Sequence, residues 1–484
     1  MHLDDPSLLR TRAFVDGAWI GADSGKTFDV VDPASGAVIA SVADLGAAET
    51  SLAIDAAERA QRGWAALTAK QRGSILRKWY DLMMENANDL AAIMTAEMGK
   101  PIGESRGEVA YAAGFIDWYA EEGKRAYGDV IPTYDATKRL LTIRQPVGVI
   151  AAITPWNFPQ AMITRKVGPA LAAGCSAVVK PSSLTPISAL AAADLAHRAG
   201  VPAGVLNVIP SASSRAIGAE LTTNPKVRKI SFTGSTEVGK ILMAQSAGTV
   251  KNVSMELGGN APFLVFDDAD LDAAVEGVIA SKYRNTGQTC ICANRIYVQD
   301  SVYDDFAKRL ADAVQDLKVG PGVDESNAVG PLVNEEALVK VEALVANACE
   351  NGAKVLAGGR RHELGRTFYE VTVLTEVTAD MDIASEEIFG PVAPLFRFHS
   401  EDEAIAAAND TPYGLASYFF ARDMGRVWRV AEGLEYGLVG VNTGLISTEI
   451  APFGGLKESG VGREGSHQGL DEYLETKYIA MGGV

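Results

Sequence analysis

The chain has 484 residues, more than one hydrophobic core usually supports, so two or three domains are expected. A composition that is 47% hydrophobic and 22% charged is that of a soluble globular protein. With 61 acidic against 44 basic side chains, the net charge of -17 repels phosphate backbones and anionic lipid, which argues against nucleic-acid and membrane partners.

The opening "MHLDDPSLLRTRAF" lacks the basic and then apolar pattern of a secretory signal, and no apolar run nears the roughly 20 residues of a membrane span. The cysteines at 175, 290, 292 and 349 form no disulfide framework, so the expected setting is a reducing cytoplasm.

In chain order, residues 48 to 123 read as helical. Leu52, Ala56, Ala60 and Trp64 recur at helical spacing, and Leu76, Trp79, Leu82 and Met83 mark a second helix. From 147 onward short apolar runs alternate with longer amphipathic ones, from "VGVIAAI" through "SAVVK", "VLNVI" and "KISFTG" to "VSMEL". That alternation predicts a parallel sheet covered by helices, with ligands bound beyond the carboxyl ends of its strands. After 256 a second α/β unit is expected, with helices at 303 to 317, 334 to 352 and 401 to 409, and strands in "RIYVQ", "AKVLAG", "APLFRF" and "GLVGVN". Residues 124 to 146, with the strand-like "RLLTIRQ", and the last twenty or so fit neither unit and could pair as an arm.

Two motifs carry chemistry. "SFTGSTEVGKIL" follows a strand and opens a helix, where Ser235 and Thr236 can hold a phosphate-bearing ligand. Gly234, Gly239 and Lys240 approach a nucleoside-triphosphate loop, but Ile241 replaces the hydroxyl that such a loop offers to magnesium.

The second motif is "RNTGQTCICANR", which places Cys290 and Cys292 two apart. No histidine spacing or second cysteine pair supports a metal site, and a bond between the two would close a small, labile ring. Cys292 reads as a small buried residue. The turn residues before Cys290 suit a reactive thiol, commonly found at a helix N-terminus that lowers its pKa. With no nearby histidine, Glu256 in "MELGGN", at the end of the last parallel strand, is the candidate base.

"TPWNFP", "VVKPS", "FTGSTEVG", "ELGGNAP", "GQTCICANR", "EEIFGPV" and "PFGGLKESGVGRE" follow one another from residue 154 to 464. Their order resembles the signature motifs of the aldehyde dehydrogenase superfamily, as does the separation of 34 residues from Glu256 to Cys290. The resemblance implies an α/β fold in three parts. A Rossmann-like parallel-sheet cofactor domain would comprise residues 1–123, 147–255 and 447–465. A second α/β catalytic domain would span 256–446, and a β oligomerisation arm 124–146 and 466–484, giving a homodimer or homotetramer.

It further implies that Cys290 attacks the aldehyde, that Asn157 and the Cys290 N–H hold the oxyanion, and that Glu256 activates the hydrolytic water. Trp156, Lys180, Ser183, Gly234, Ser235, Gly239, Leu257, Glu387 and Phe389 fall at cofactor-binding positions. Ser183 stands where many NAD-preferring relatives carry a glutamate, so NADP is the expected cofactor, with NAD as the lesser choice.

Arg165, Arg284 and Ser447, with Thr448 as a substitute for the serine, resemble the carboxylate clamp of succinate semialdehyde dehydrogenases. The expected substrate is a small semialdehyde, succinate semialdehyde first and glutarate semialdehyde next; cofactor-independent thiol esterase activity is the chemical neighbour. No metal is expected, and Cys292 is a redox candidate beside the nucleophile.

Overall fold

The computed structural model describes residues 1–483; Val484, the last residue of the expected arm, lies outside them. The helical preamble is four helices, Ala47–Ala66, Ala69–Glu85, Ala87–Met98 and Ile102–Glu122. Thr68 caps the second by accepting from the N–H of Gln71, whose side chain reaches back to Thr68. Gly99 ends the third in a left-handed conformation (φ 91°), where a Cβ would stand 2.7 Å from the Pro331 ring. Trp64 is 1% exposed and donates its indole N–H to the Leu171 carbonyl at 2.9 Å, tying the first helix to Ala161–Ala173.

The first sheet has eight strands, in the order Ala18–Ile20, Ala13–Val15, Leu206–Val208, Ser176–Lys180, Val149–Ile153, Val227–Thr233, Asn252–Glu256 and Gly460–Val461. Its central five run parallel and are covered on both faces, which is why their sequences are near-continuous apolar runs. Register aligns Ile153 with Lys180 and with Phe232, and Thr233 with Glu256. Four carboxyl ends therefore open along one edge, where the sequence places its motifs. The antiparallel additions at both edges, the Ala13–Ile20 hairpin and Gly460–Val461 beside Met255–Glu256, carry no periodicity strong enough to announce them.

The second sheet has seven strands, in the order Lys354–Ala357, Thr372–Thr375, Val392–Phe398, Ala293–Gln299, Ala261–Val265, Ala416–Phe420 and Leu438–Val441. The four strand-like runs expected after residue 256 all lie in it.

The two leftover pieces pair with each other. Lys138–Pro146 runs antiparallel to Leu474–Gly482 in unbroken register from Leu474 opposite Pro146 to Gly482 opposite Lys138, and Val130–Ile131 adds a short third strand. This ribbon is little covered by its own chain, with Val130 88% and Tyr478 56% exposed. A chain ending at Tyr473 leaves one edge of Lys138–Pro146 bare and is expected to aggregate. Light scattering that finds the truncated chain no larger than the full one would contradict this.

Candidate active site

Asn157 follows the strand Val149–Ile153 and is 4% exposed. Its backbone carbonyl accepts from Lys100 Nζ at 2.8 Å and from Asn285 Nδ2 at 3.0 Å, while its own Nδ2 donates to the Gln288 carbonyl at 3.0 Å. An amide has two N–H groups, so one is left for a ligand. Lys100 forms a buried ion pair with Glu108, whose other oxygen accepts from the N–H groups of Gln160 and Ala161 at the start of the helix Ala161–Ala173. The loop is thus fastened to the helical layer from both sides.

Cys290 sits in the turn between the short helix Arg284–Gly287 and the strand Ala293–Gln299. Asn285, Thr286 and Gly287 are all left-handed, at φ 52°, 59° and 76°, a costly run for a β-branched threonine. It is held by Thr286 donating to the Gly330 carbonyl at 3.1 Å, and by Gln288, which donates to the Asn285 carbonyl and accepts from the N–H of Val333.

No helix begins at Cys290, so no helix dipole lowers its pKa. Burial first, with Glu387, Glu256 and Cys292 adding to it and Arg165 opposing, pushes the thiol up to about 12. Cys292 is buried, its sulfur 2.6 Å from the Thr289 hydroxyl and 3.6 Å from the Lys282 carbonyl.

Glu256 ends its strand with both carboxyl oxygens buried and unpartnered among the described residues. Burial first and Glu464 second raise its pKa well above the carboxylate range, against Arg165 and Lys166. Glu464 pairs with both cations and its own pKa is lowered, the cations outweighing its burial.

A cavity of ≈290 Å³ gathers much of the expected set. Cys290, Asn157, Trp156, Gly234, Ser235 and Leu257 line one part, and Glu387 and Phe389 another. The Trp156 and Phe389 rings meet edge-on at 5.6 Å. Gly239 lies under Leu257, where a Cβ would come within 2.4 Å of Leu257 Cδ2. Glu387 accepts from the N–H of Gly259 at 3.2 Å, and desolvation pushes its carboxyl up to about 7. Lys180 donates to the Ser214 hydroxyl at 3.1 Å, with its ammonium pushed down to about 8 by burial.

These residues fit a dinucleotide: the buried hydroxyl of Thr233 on the cavity wall lacks a partner among the described residues, and Ser235, also on the wall, caps the helix Thr236–Ser246. Ser183 lines a cleft of ≈370 Å³ with Glu97 and Arg366. A larger cleft of ≈530 Å³ around Arg397 and Tyr303 contains none of Cys290, Asn157 or Glu256.

Arg165 is 1% exposed, sandwiched near the Phe453 ring at 4.0 Å, and its Nη2 has no hydrogen bond among the described residues. Arg284 is half-buried over the Phe158 ring at 5.3 Å, with no ion pair among the described residues. Ser447 is half-buried, and the Thr448 hydroxyl is 3.4 Å from Glu449. Sequence reasoning missed Lys100, Glu108, Asn285 and Glu464, whose partners lie far along the chain. It also missed Tyr111 and Lys282, whose buried Oη and Nζ have no partner among the described residues.

The description "Aldehyde dehydrogenase family" matches residues 19–479. The chain is 60% identical over 482 residues to the succinate-semialdehyde dehydrogenase (NADP(+)) GabD of Escherichia coli strain K12, spanning 100% of both chains. It is 59% identical over 484 residues to a glutarate-semialdehyde dehydrogenase of Pseudomonas aeruginosa, again 100% of both. It superimposes on the crystal structure of an E. coli NADP-dependent enzyme with a TM-score of 0.99 and 60% identity, covering 99% of this chain and 100% of that one. A thiol and an amide on the wall of one cavity, with matches of this extent, make the chain a member of the aldehyde dehydrogenase family.

Proposed function

We propose that this enzyme oxidises succinate semialdehyde to succinate, with NADP preferred over NAD. The observation that carries the substrate choice is a pair of arginines with donor capacity left over: Arg165, which pairs with Glu464 through Nε but keeps an unspent Nη2, and Arg284, with no ion pair among the described residues. A carboxylated aldehyde uses those donors, whereas a neutral one leaves them unmatched in a confined site. Ser447 is the better third donor, because Thr448 is turned to Glu449.

In this reading the Cys290 sulfur adds to the aldehyde carbon to give a hemithioacetal. The free N–H of Asn157 and the backbone N–H of Cys290 hold its oxyanion, each such donor being worth about 3 kcal/mol. The nicotinamide, when bound, supplies a hydride acceptor and a positive charge beside a thiol that the protein alone keeps protonated. Trp156, Leu257, Phe389 and the close-packed Gly234 and Gly239 would form its bed, Ser235 would receive its phosphates, and Glu387 and Lys180 would hold its riboses. Glu256 takes a proton from the water that hydrolyses the resulting thioester.

Glutarate semialdehyde is the second reading, supported by the P. aeruginosa relative, because one methylene is worth only about 1 to 3 kcal/mol. The exposed ribbon supports a homodimer or homotetramer assembled through the arm of residues 124–146 and 466–484; sedimentation as a monomer would overturn that. We divide the rest into a cofactor domain of 1–123, 147–255 and 447–465 and a catalytic domain of 256–446. Among the described residues no helix is long and apolar enough to cross a membrane, and the four free cysteines support a cytoplasmic setting.

The deciding assay is initial cofactor reduction with succinate semialdehyde, glutarate semialdehyde and butanal, with Cys290→Ser as the blank. The expected result is a strong rate with the first, at least tenfold weaker with butanal, and none with Cys290→Ser; equal rates with butanal would remove the substrate claim, and turnover of an ester without cofactor would favour the esterase. Because the Glu256 pKa is raised, its base form is lost as pH falls through that raised value and present above it. Thioester hydrolysis should therefore climb with pH beyond the ordinary carboxylate range, and Glu256→Gln should flatten the climb.

Ser183→Glu should shift preference toward NAD, since a carboxylate opposes a 2'-phosphate by roughly 4 kcal/mol per charge pair at 4 Å and a dielectric of 20. An unchanged NADP/NAD ratio would refute the cofactor assignment.

Peroxide should inactivate the enzyme reversibly: it oxidises the Cys290 thiol to a sulfenic acid, releasing water, and the Cys292 thiol then displaces a second water to form a disulfide. A Cys292→Ala variant that regains activity with reductant as completely as the parent would exclude this role.

A further inference from the structure

Tyr111 lies on the helix Ile102–Glu122, its ring edge-on to Phe115 at 4.9 Å. Its hydroxyl oxygen is shut off from solvent and bonds to none of the described residues. Other buried tyrosines of this chain spend their hydroxyls on carbonyls: Tyr283 on Thr372 at 3.0 Å, Tyr303 on Leu395 at 3.1 Å and Tyr418 on Ile291 at 2.8 Å. Tyr119 is the other orphan among the described tyrosines, and its charged surroundings are led by Glu464.

The surroundings of Tyr111 differ. The charges acting on its hydroxyl are led by Arg165 and Arg284, with the carboxylates of Glu464 and Glu449 behind them. Burial outweighs the two cations and keeps the phenol neutral, so it remains a donor. Arg165 in turn is among the charges acting on Glu256 and Cys290. A phenylalanine would fill the same space without an unmatched hydroxyl. The Phe115 ring that Tyr111 meets edge-on also lies 5.7 Å from the Arg165 guanidinium carbon, so the two side chains share one neighbour. Keeping a buried oxygen unpartnered there is a cost unless an acceptor arrives.

We propose that Tyr111 is a specificity-determining residue whose hydroxyl donates to the far carboxylate of the aldehyde, beside Arg165 and Arg284. This rests on the semialdehyde reading above. The carboxylate has lone pairs enough for two guanidinium groups and a phenol, and it is the one part of such a substrate absent from an uncharged aldehyde. The contact therefore discriminates between substrates rather than assisting the chemistry at the carbonyl carbon.

The test is Tyr111→Phe, which deletes one oxygen, assayed with succinate semialdehyde and butanal. The expected loss in kcat/KM for the carboxylated aldehyde is about tenfold, carried by KM, with butanal unchanged. Equal losses on both substrates, or none on either, would overturn the proposal. If the parent enzyme itself shows no preference for the carboxylated aldehyde, the semialdehyde reading fails first and independently. Calorimetric titration with succinate gives a second readout that needs no turnover: its Kd should rise about tenfold in Tyr111→Phe, and an unchanged value would overturn the assignment.

Discussion

The site depends on one carbonyl group, that of Asn157. Its two lone pairs are taken by the Lys100 ammonium, from the helical layer, and by the Asn285 side chain, from the loop that carries Cys290. The two sheets each supply half of the chemistry, and this oxygen joins the halves. Lys100 can be spent in this way because Glu108 neutralises it, and Glu108 in turn caps the helix Ala161–Ala173 that bears Arg165 and Lys166. Removing one partner of such a buried pair typically costs about 3 to 5 kcal/mol. The same bonds offset the left-handed strain at Asn285 and Thr286, which has no local remedy.

Charge is apportioned unevenly around that frame. Glu256 and Glu464 stand near the same two cations, but Glu464 is in contact with both and Glu256 with neither. One carboxyl is therefore held ionised and the other pushed toward its neutral form, a separation of roles that identical side chains acquire only from their surroundings. Glu464 comes from the final segment, whose Gly460–Val461 also pairs with the strand ending at Glu256, so the backbone that completes the sheet delivers the competing charge.

How much of this was legible in the sequence follows from the range of the forces involved. The parallel strands and their helices announce themselves through local periodicity, and once their carboxyl ends are known, Glu256, Gly234 and Lys180 fall at the right edge. The helical tyrosine Tyr111 could not be read, because which face of a helix meets a site is decided by packing. Nor could Lys100 and Asn285, which meet at a residue 57 positions from one and 128 from the other. The turn residues of "NTGQT" were legible, but not their use: they build a left-handed loop stabilised by distant carbonyls, and a strand rather than a helix follows Cys290. Lys240, which made the glycine motif look like a triphosphate loop, is paired with Glu458 on the surface.

Arg165 carries a conflict that explains the layout. It is the cation that lowers the pKa of Cys290 and the first of those that lower that of Glu256, and in the proposed reading it also holds the carboxylate of the substrate. An anion bound there weakens its pull on both groups just as a thiolate is required. A protein with this net charge has no surplus of cations to make good the loss, and Lys166 is already committed to Glu464. In the proposed reading a bound nicotinamide cofactor would add the remaining positive charge near the thiol. The protein's own groups therefore favour the protonated thiol, and Arg165 is asked to serve both the substrate and the sulfur.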